Sequence, residues 1–143
     1  MGFFDFVKSA GEKLFGGGEK PDPLAIIERI NNLGLGVEKL QVEVEEETAI
    51  VHGIVQSQSD REKVVLCCGN VEGIGKVDDR LSIAAQEPQA TFYTVVSGDT
   101  LSKISKEHYG DAMKYPVIFE ANKPMLTDPD LIYPGQVLRI PPQ

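Results

Sequence analysis

The chain has no tryptophan, two cysteines and two histidines among its 143 residues, and each scarcity closes a route to function. Cys67 and Cys68 are adjacent, and neighbours in sequence rarely reach the geometry of an unstrained disulfide. They read as small buried hydrophobes, because redox or metal chemistry would want a second pair or a CxxC spacing. His52 and His108 lie far apart, with no third ligand at metal spacing and no HExxH run. There is no Gly-x-Ser-x-Gly elbow, and the glycine run GGGEK leads into Pro21 rather than a phosphate-cradling loop. An enzyme is not expected. Long apolar runs are missing too: no window approaches the roughly 18 residues of a membrane span. The first fifteen residues interrupt their apolar pattern with Asp5, Lys8, Glu12 and Lys13, which a secretory leader would not do. A cytoplasmic monomer is the expectation.

Basic residues are also short, with 14 Lys and Arg against 22 Asp and Glu and a net charge of -8. That balance repels phosphate backbones and attracts cations, so nucleic acid is not an expected partner. From Pro21 to Glu87 there are 13 acids and 6 bases, whereas Pro88 to Gln143 holds 6 and 5. The acidity belongs to the middle of the chain. The runs at Glu43 to Glu47 and at Asp78-Asp79 read as solvated surface.

What is present is patterned. Phe3, Val7, Ala10 and Leu14, with Phe6 alongside, recur at helical spacing and predict an amphipathic helix ending at Phe15, stopped by Gly16 to Gly18. Its charges cancel, so docking onto its own protein is expected rather than membrane binding. Asp22 and Pro23 open a helix with Leu24, Ile27, Ile30 and Leu33 inward, ended by Gly34 and Gly36. Leu40, Val42 and Val44 alternate with Gln41, Glu43 and Glu45 in the first arm of a hairpin. Ser59 and Glu62 have capping-box spacing at the head of a helix carrying Val64, Cys68 and Val71. A Gly-rich turn from Asn70 to Gly75 leads into a strand from Lys76 to Ile83.

That order, with VHGIV and VEGIGKVDDRLSI, resembles the BON domain, and the resemblance implies binding rather than catalysis. After the short polar stretch AAQEPQAT, the runs YTVVSGDTLSKIS, IFEANKPML and IYPGQVLRIP resemble the LysM domain, a strand, two helices and a strand. The expected class is therefore α+β: an N-terminal helix at 1–18, a BON domain (α-β-β-α-β) at 19–84, a linker at 85–91 and a LysM domain (β-α-α-β) at 92–143. LysM domains typically bind N-acetylglucosamine polymers, and the positions matching such a groove are Gly98, Asp99, Thr100, Leu101, Ile132 and Tyr133. Asp99 equally suits a helix cap and Tyr133 a core contact. With no tryptophan platform, weak or absent glycan binding is expected.

End to end, from MGFFDFVKSAGEKLF to IYPGQVLRIP, the chain resembles the small cytoplasmic proteins of enteric and related bacteria that join one BON to one LysM domain and bind potassium. That resemblance implies K⁺ as the bound ion, closure of the two domains on binding, and a role under raised external potassium. K⁺ is large and weakly hydrated, so a site preferring it over Na⁺ suits neutral carbonyl dipoles, and Rb⁺ or Cs⁺ would be the expected substitutes. Backbone carbonyls are freed near the end of the first segment and in the following BON turn. The candidate ligands are the carbonyls of Val7, Ala10, Gly69, Val71, Gly73 and Ile74. The same glycines also suit tight turns, and both readings stand. The alternative function is an envelope-associated module that binds peptidoglycan.

Overall fold

The computed structural model describes residues 2–14, 21–84 and 90–142. The segment from Phe15 to Gly18 and most of the expected linker lie outside the described residues.

The N-terminal segment is not the expected amphipathic helix. Gly2–Asp5 forms a strand, β1, and no helix occurs among residues 2–14. Phe4 and Phe6 alternate inward onto the core, while Phe3 stands 68% exposed and Val7 38% exposed. A period of two therefore wins over the helical period, because the edge of the sheet offers β1 a row of unpaired backbone groups. Docking onto the protein itself is as expected.

After β1, Asp22 caps α1 (Pro23–Asn32), its Oδ1 accepting from the Leu24 N–H at 3.0 Å, with proline in the first turn. Its buried face is rotated from the expected one: Ile26 and Ile30 are fully buried, Ile27 and Leu33 are partly buried, and Leu24 is exposed. β2 (Glu38–Glu45) and β3 (Thr48–Val55) form the hairpin, with Val42 buried and Glu43 and Glu45 in solvent. α2 (Gln58–Gly69) is capped by Ser57, whose hydroxyl accepts from the Asp60 N–H at 3.1 Å. The Ser59–Glu62 capping box is thus displaced, and Glu62 is free to serve elsewhere. β4 (Lys76–Ile83) returns parallel to β3, giving the sheet order β1-β4-β3-β2. Strand β1 completes it antiparallel to β4.

The C-terminal unit comprises β5 (Thr91–Thr94), α3 (Leu101–Tyr109), a short 3₁₀ turn at Ala112–Lys114, α4 (Tyr115–Ala121) and β6 (Val137–Ile140), with β5 antiparallel to β6. Thr100 caps α3 by accepting from the Lys103 N–H at 3.1 Å. Asp99 is therefore not the cap; it accepts from the Tyr93 hydroxyl at 2.6 Å and the Val96 N–H at 2.9 Å. These two bonds hold its carboxyl low, and the bond to Asp99 pushes Tyr93 up to about 12. Each unit has its own core, and Phe92 of the C-terminal unit packs on the N-terminal one, its ring 5.0 Å from that of Phe4.

Candidate functional site: the seam of three segments

The N-terminal segment runs along the turn that follows α2. The Phe6 N–H donates to Gly75 O, the Gly73 N–H to Lys8 O, the Glu12 N–H to Asn70 O and the Glu72 N–H to Glu12 O, all at 2.8–3.0 Å. Residues 6–12 are thus zipped to residues 70–75. The fit is close at two glycines. Gly11 has φ +106, and a Cβ there would lie 2.5 Å from the Asn70 carbonyl. Gly69 sits under the Phe6 ring, which occupies the space a side chain would need.

This arrangement brings Val7 and Ala10 alongside the turn holding Gly69, Val71, Gly73 and Ile74. The N-terminal segment contributes loop backbone rather than a helix end, while Gly69 is the last residue of α2. Val7 O accepts from the Ala10 N–H and Val71 O from the Ile74 N–H, which leaves each a second lone pair. The carbonyls of Ala10, Gly69, Gly73 and Ile74 accept no backbone hydrogen bond among the described residues. Charged groups flank the segment rather than fill it: Lys8 pairs with Glu47 at 3.2 Å and Arg29 with Glu12 at 3.6 Å. Among the described residues no three His, Cys, Asp or Glu side chains cluster as a metal site. The oxygens that the two segments bring alongside each other include backbone carbonyls, and neutral dipoles of that kind suit a large monovalent cation better than a hard divalent one.

The C-terminal unit closes the third side. A Cβ on Gly135 would meet Ala10 and Val7 side chains, so its 134–135 turn rests on the N-terminal loop. Asn70 binds β6 through both ends of its amide, Nδ2 donating to Val137 O and Oδ1 accepting from the Val137 N–H, each at 3.0 Å. Farther along the seam Arg139 donates to Glu62 Oε1 through Nε at 3.0 Å and Nη2 at 2.8 Å. Both side chains are buried, at 8% and 5% exposure. Glu62 also accepts from Gln58 Nε2 and the Ala90 N–H, and Arg139 Nη1 reaches Ala121 O. Sequence reasoning missed this pair. The available signal was the lone charge of Arg139 in the apolar run VLRI; on α2, Glu62 follows the polar Gln58 by one turn and stands out less.

Beside the junction lies a cavity of about 240 Å³ whose walls include Glu12, Arg29, Cys67, Asn70 and Tyr133. Burial pushes the Tyr133 hydroxyl up to about 12, helped by the Glu12 charge, and burial pushes the Cys67 thiol up to about 11 against the opposing pull of Arg29. Both cysteines are free and buried, as expected.

The six glycan positions are not equivalent. Gly98 and Thr100 are exposed and Asp99 is tied to Tyr93, but Leu101 is buried in the C-terminal core, Ile132 packs on it, and Tyr133 lines the cavity at the seam. Only part of that set is open to a ligand from solution.

Residues 25–85 match the BON domain family and residues 93–141 the LysM domain family. The chain is 48% identical to the potassium binding protein Kbp of Escherichia coli O6:H1 over 147 aligned positions, covering 99% of each. It is 37% identical to an uncharacterized protein of Deinococcus radiodurans, over 66% of this chain and 41% of that one. A 53-residue stretch is 51% identical to Esterase MT1326 of Mycobacterium tuberculosis, over 37% of this chain and 11% of the esterase.

Proposed function

The chain belongs to the family of the potassium binding protein Kbp, and from that premise we propose that it is a cytoplasmic potassium-binding protein, not an enzyme, which becomes more compact on taking up the ion and supports growth at raised external potassium. The observation that carries the reading is the likeness to Kbp over the whole of both chains, so that both domains and the N-terminal segment are shared. The N-terminal segment matters because it closes one side of the junction at the turn after α2.

The ion is held by the carbonyls of Val7, Ala10, Gly69, Val71, Gly73 and Ile74. Four of these accept no backbone hydrogen bond among the described residues, and two have a lone pair to spare. Rb⁺ and Cs⁺ substitute for K⁺ because carbonyl dipoles discriminate by size and field strength, and Na⁺ competes poorly. Compaction follows if the ion tightens a junction on which the LysM unit already rests. Glycan binding is weak or absent, since Leu101 is buried and Tyr133 lines the seam. The protein acts as a monomer.

Calorimetric titration of the full chain with KCl, RbCl, NaCl, CaCl₂ and a chitin oligomer tests this. Saturable heat is expected for K⁺ and Rb⁺ alone. Saturable heat with chitin and none with K⁺ would hand the function to the LysM unit.

A further inference from the structure

Three segments meet at Asn70. Its N–H continues α2 by donating to Leu66 O at 2.9 Å, and its carbonyl accepts from the Glu12 N–H of the N-terminal segment at 2.9 Å. Its side chain takes both main-chain groups of Val137 in β6. A side-chain amide satisfying one residue's N–H and C=O together mimics a rung of a β-ladder and fixes orientation as well as distance. Its chain neighbours on either side are Gly69 and Val71, two of the carbonyls assigned to the ion.

We propose that Asn70 is the positioning residue that transmits the state of the ion-binding turn to the LysM unit, through its paired hydrogen bonds to Val137. The inference rests on the potassium reading given above. An ion held by the Gly69 carbonyl fixes the peptide plane before Asn70, the Glu12 N–H bonded to Asn70 O fixes the plane after it, and the two together set the direction of its side chain. The amide then holds the Val137 N–H and C=O, and β6 follows the turn. The Glu62–Arg139 pair has no such link to the turn: it joins the middle of α2 to β6, eight residues upstream of Asn70, and holds the two units together whatever the turn does. The backbone of Asn70 (φ -82, ψ 48) lies outside the left-handed region, so the position does not demand glycine and its side chain can be changed.

The Val137 amide reports this directly, because its hydrogen is the one Asn70 Oδ1 holds. Hydrogen exchange at Val137 is measured by NMR in the full chain, in NaCl and in KCl of equal concentration, with potassium binding followed in parallel by calorimetry. In the parent chain, potassium is expected to slow Val137 exchange about tenfold or more, as local opening becomes rarer. Asn70→Ala is expected to keep potassium binding, its backbone carbonyls being intact, yet to lose the potassium-dependent slowing. Asn70→Asp keeps an acceptor for the Val137 N–H and is expected to recover part of that slowing, which a general loss of stability would not produce. Potassium heat in the parent with an unchanged Val137 amide overturns the inference and leaves the potassium reading in place, as does undiminished slowing in Asn70→Ala. No potassium heat in the parent overturns both.

Discussion

Replacing Arg139 with leucine is expected to lower stability by about 3–5 kcal/mol, the usual cost of removing one partner from a buried ion pair. The Glu62 carboxylate would be left at the seam with Gln58 and the Ala90 N–H but no countercharge, and Ala121 O would lose its donor. For a chain of this size that corresponds to a fall in melting temperature on the order of 10 °C, readable by scanning calorimetry. The double variant Glu62→Leu/Arg139→Leu removes the stranded charge and is expected to regain part of the loss, though not all, because Ala90 N–H and Ala121 O remain without their partners. A single variant melting within about 2 °C of the parent would mean that the pair is solvated and that the seam is looser than its 5% and 8% exposures imply.

The second large effect is expected at Gly11. Alanine there would keep a left-handed φ of +106 and bring a Cβ within 2.5 Å of the Asn70 carbonyl and 2.7 Å of Val71 N. The obstacle is backbone on both sides, so no rotamer change relieves it. Left-handed strain at a non-glycine residue costs about 1–3 kcal/mol, and separating residues 6–12 from the turn adds to it. Since about 1.4 kcal/mol is tenfold in affinity, potassium binding by Gly11→Ala is expected to weaken at least tenfold by calorimetry. Gly98→Ala is the control, because Gly98 also has positive φ but open space around it, in a loop of the LysM unit. It should bind potassium as the parent does. Parental affinity in Gly11→Ala would remove the N-terminal loop from the site.

Local signals in the sequence identified most of the elements. Asp22-Pro23 marks the start of α1, the alternation from Leu40 to Glu45 marks β2, and YTVVSGDTLSKIS opens the LysM unit. Where the fold departs from these local signals, the deciding partner is remote. Phe3, Val7, Ala10 and Leu14 satisfy a helical period and Phe4 and Phe6 a strand period, and only the free edge of β4 chooses between them. Ser57 rather than Ser59 caps α2, and Glu62, freed from capping, is claimed by Arg139 at a separation of 77 residues. Asn70 reaches Val137 across 67 residues. The sequence offered a glycine-rich turn and an N-terminal segment read as a helix; that residues 6–12 lie beside residues 70–75 is a property of the sheet, which no local pattern carries.

In the proposed function the folded chain selects potassium through neutral carbonyls at this junction. Thermal melting in KCl and in NaCl at matched ionic strength tests it most directly, because the two salts screen the net charge of -8 alike and differ only in the cation. The melting temperature is expected to rise with potassium as ln(1 + [L]/Kd), the signature of an ion bound only by the folded state, while sodium at the same strength leaves it lower. Equal stabilisation by the two salts at every concentration would contradict it.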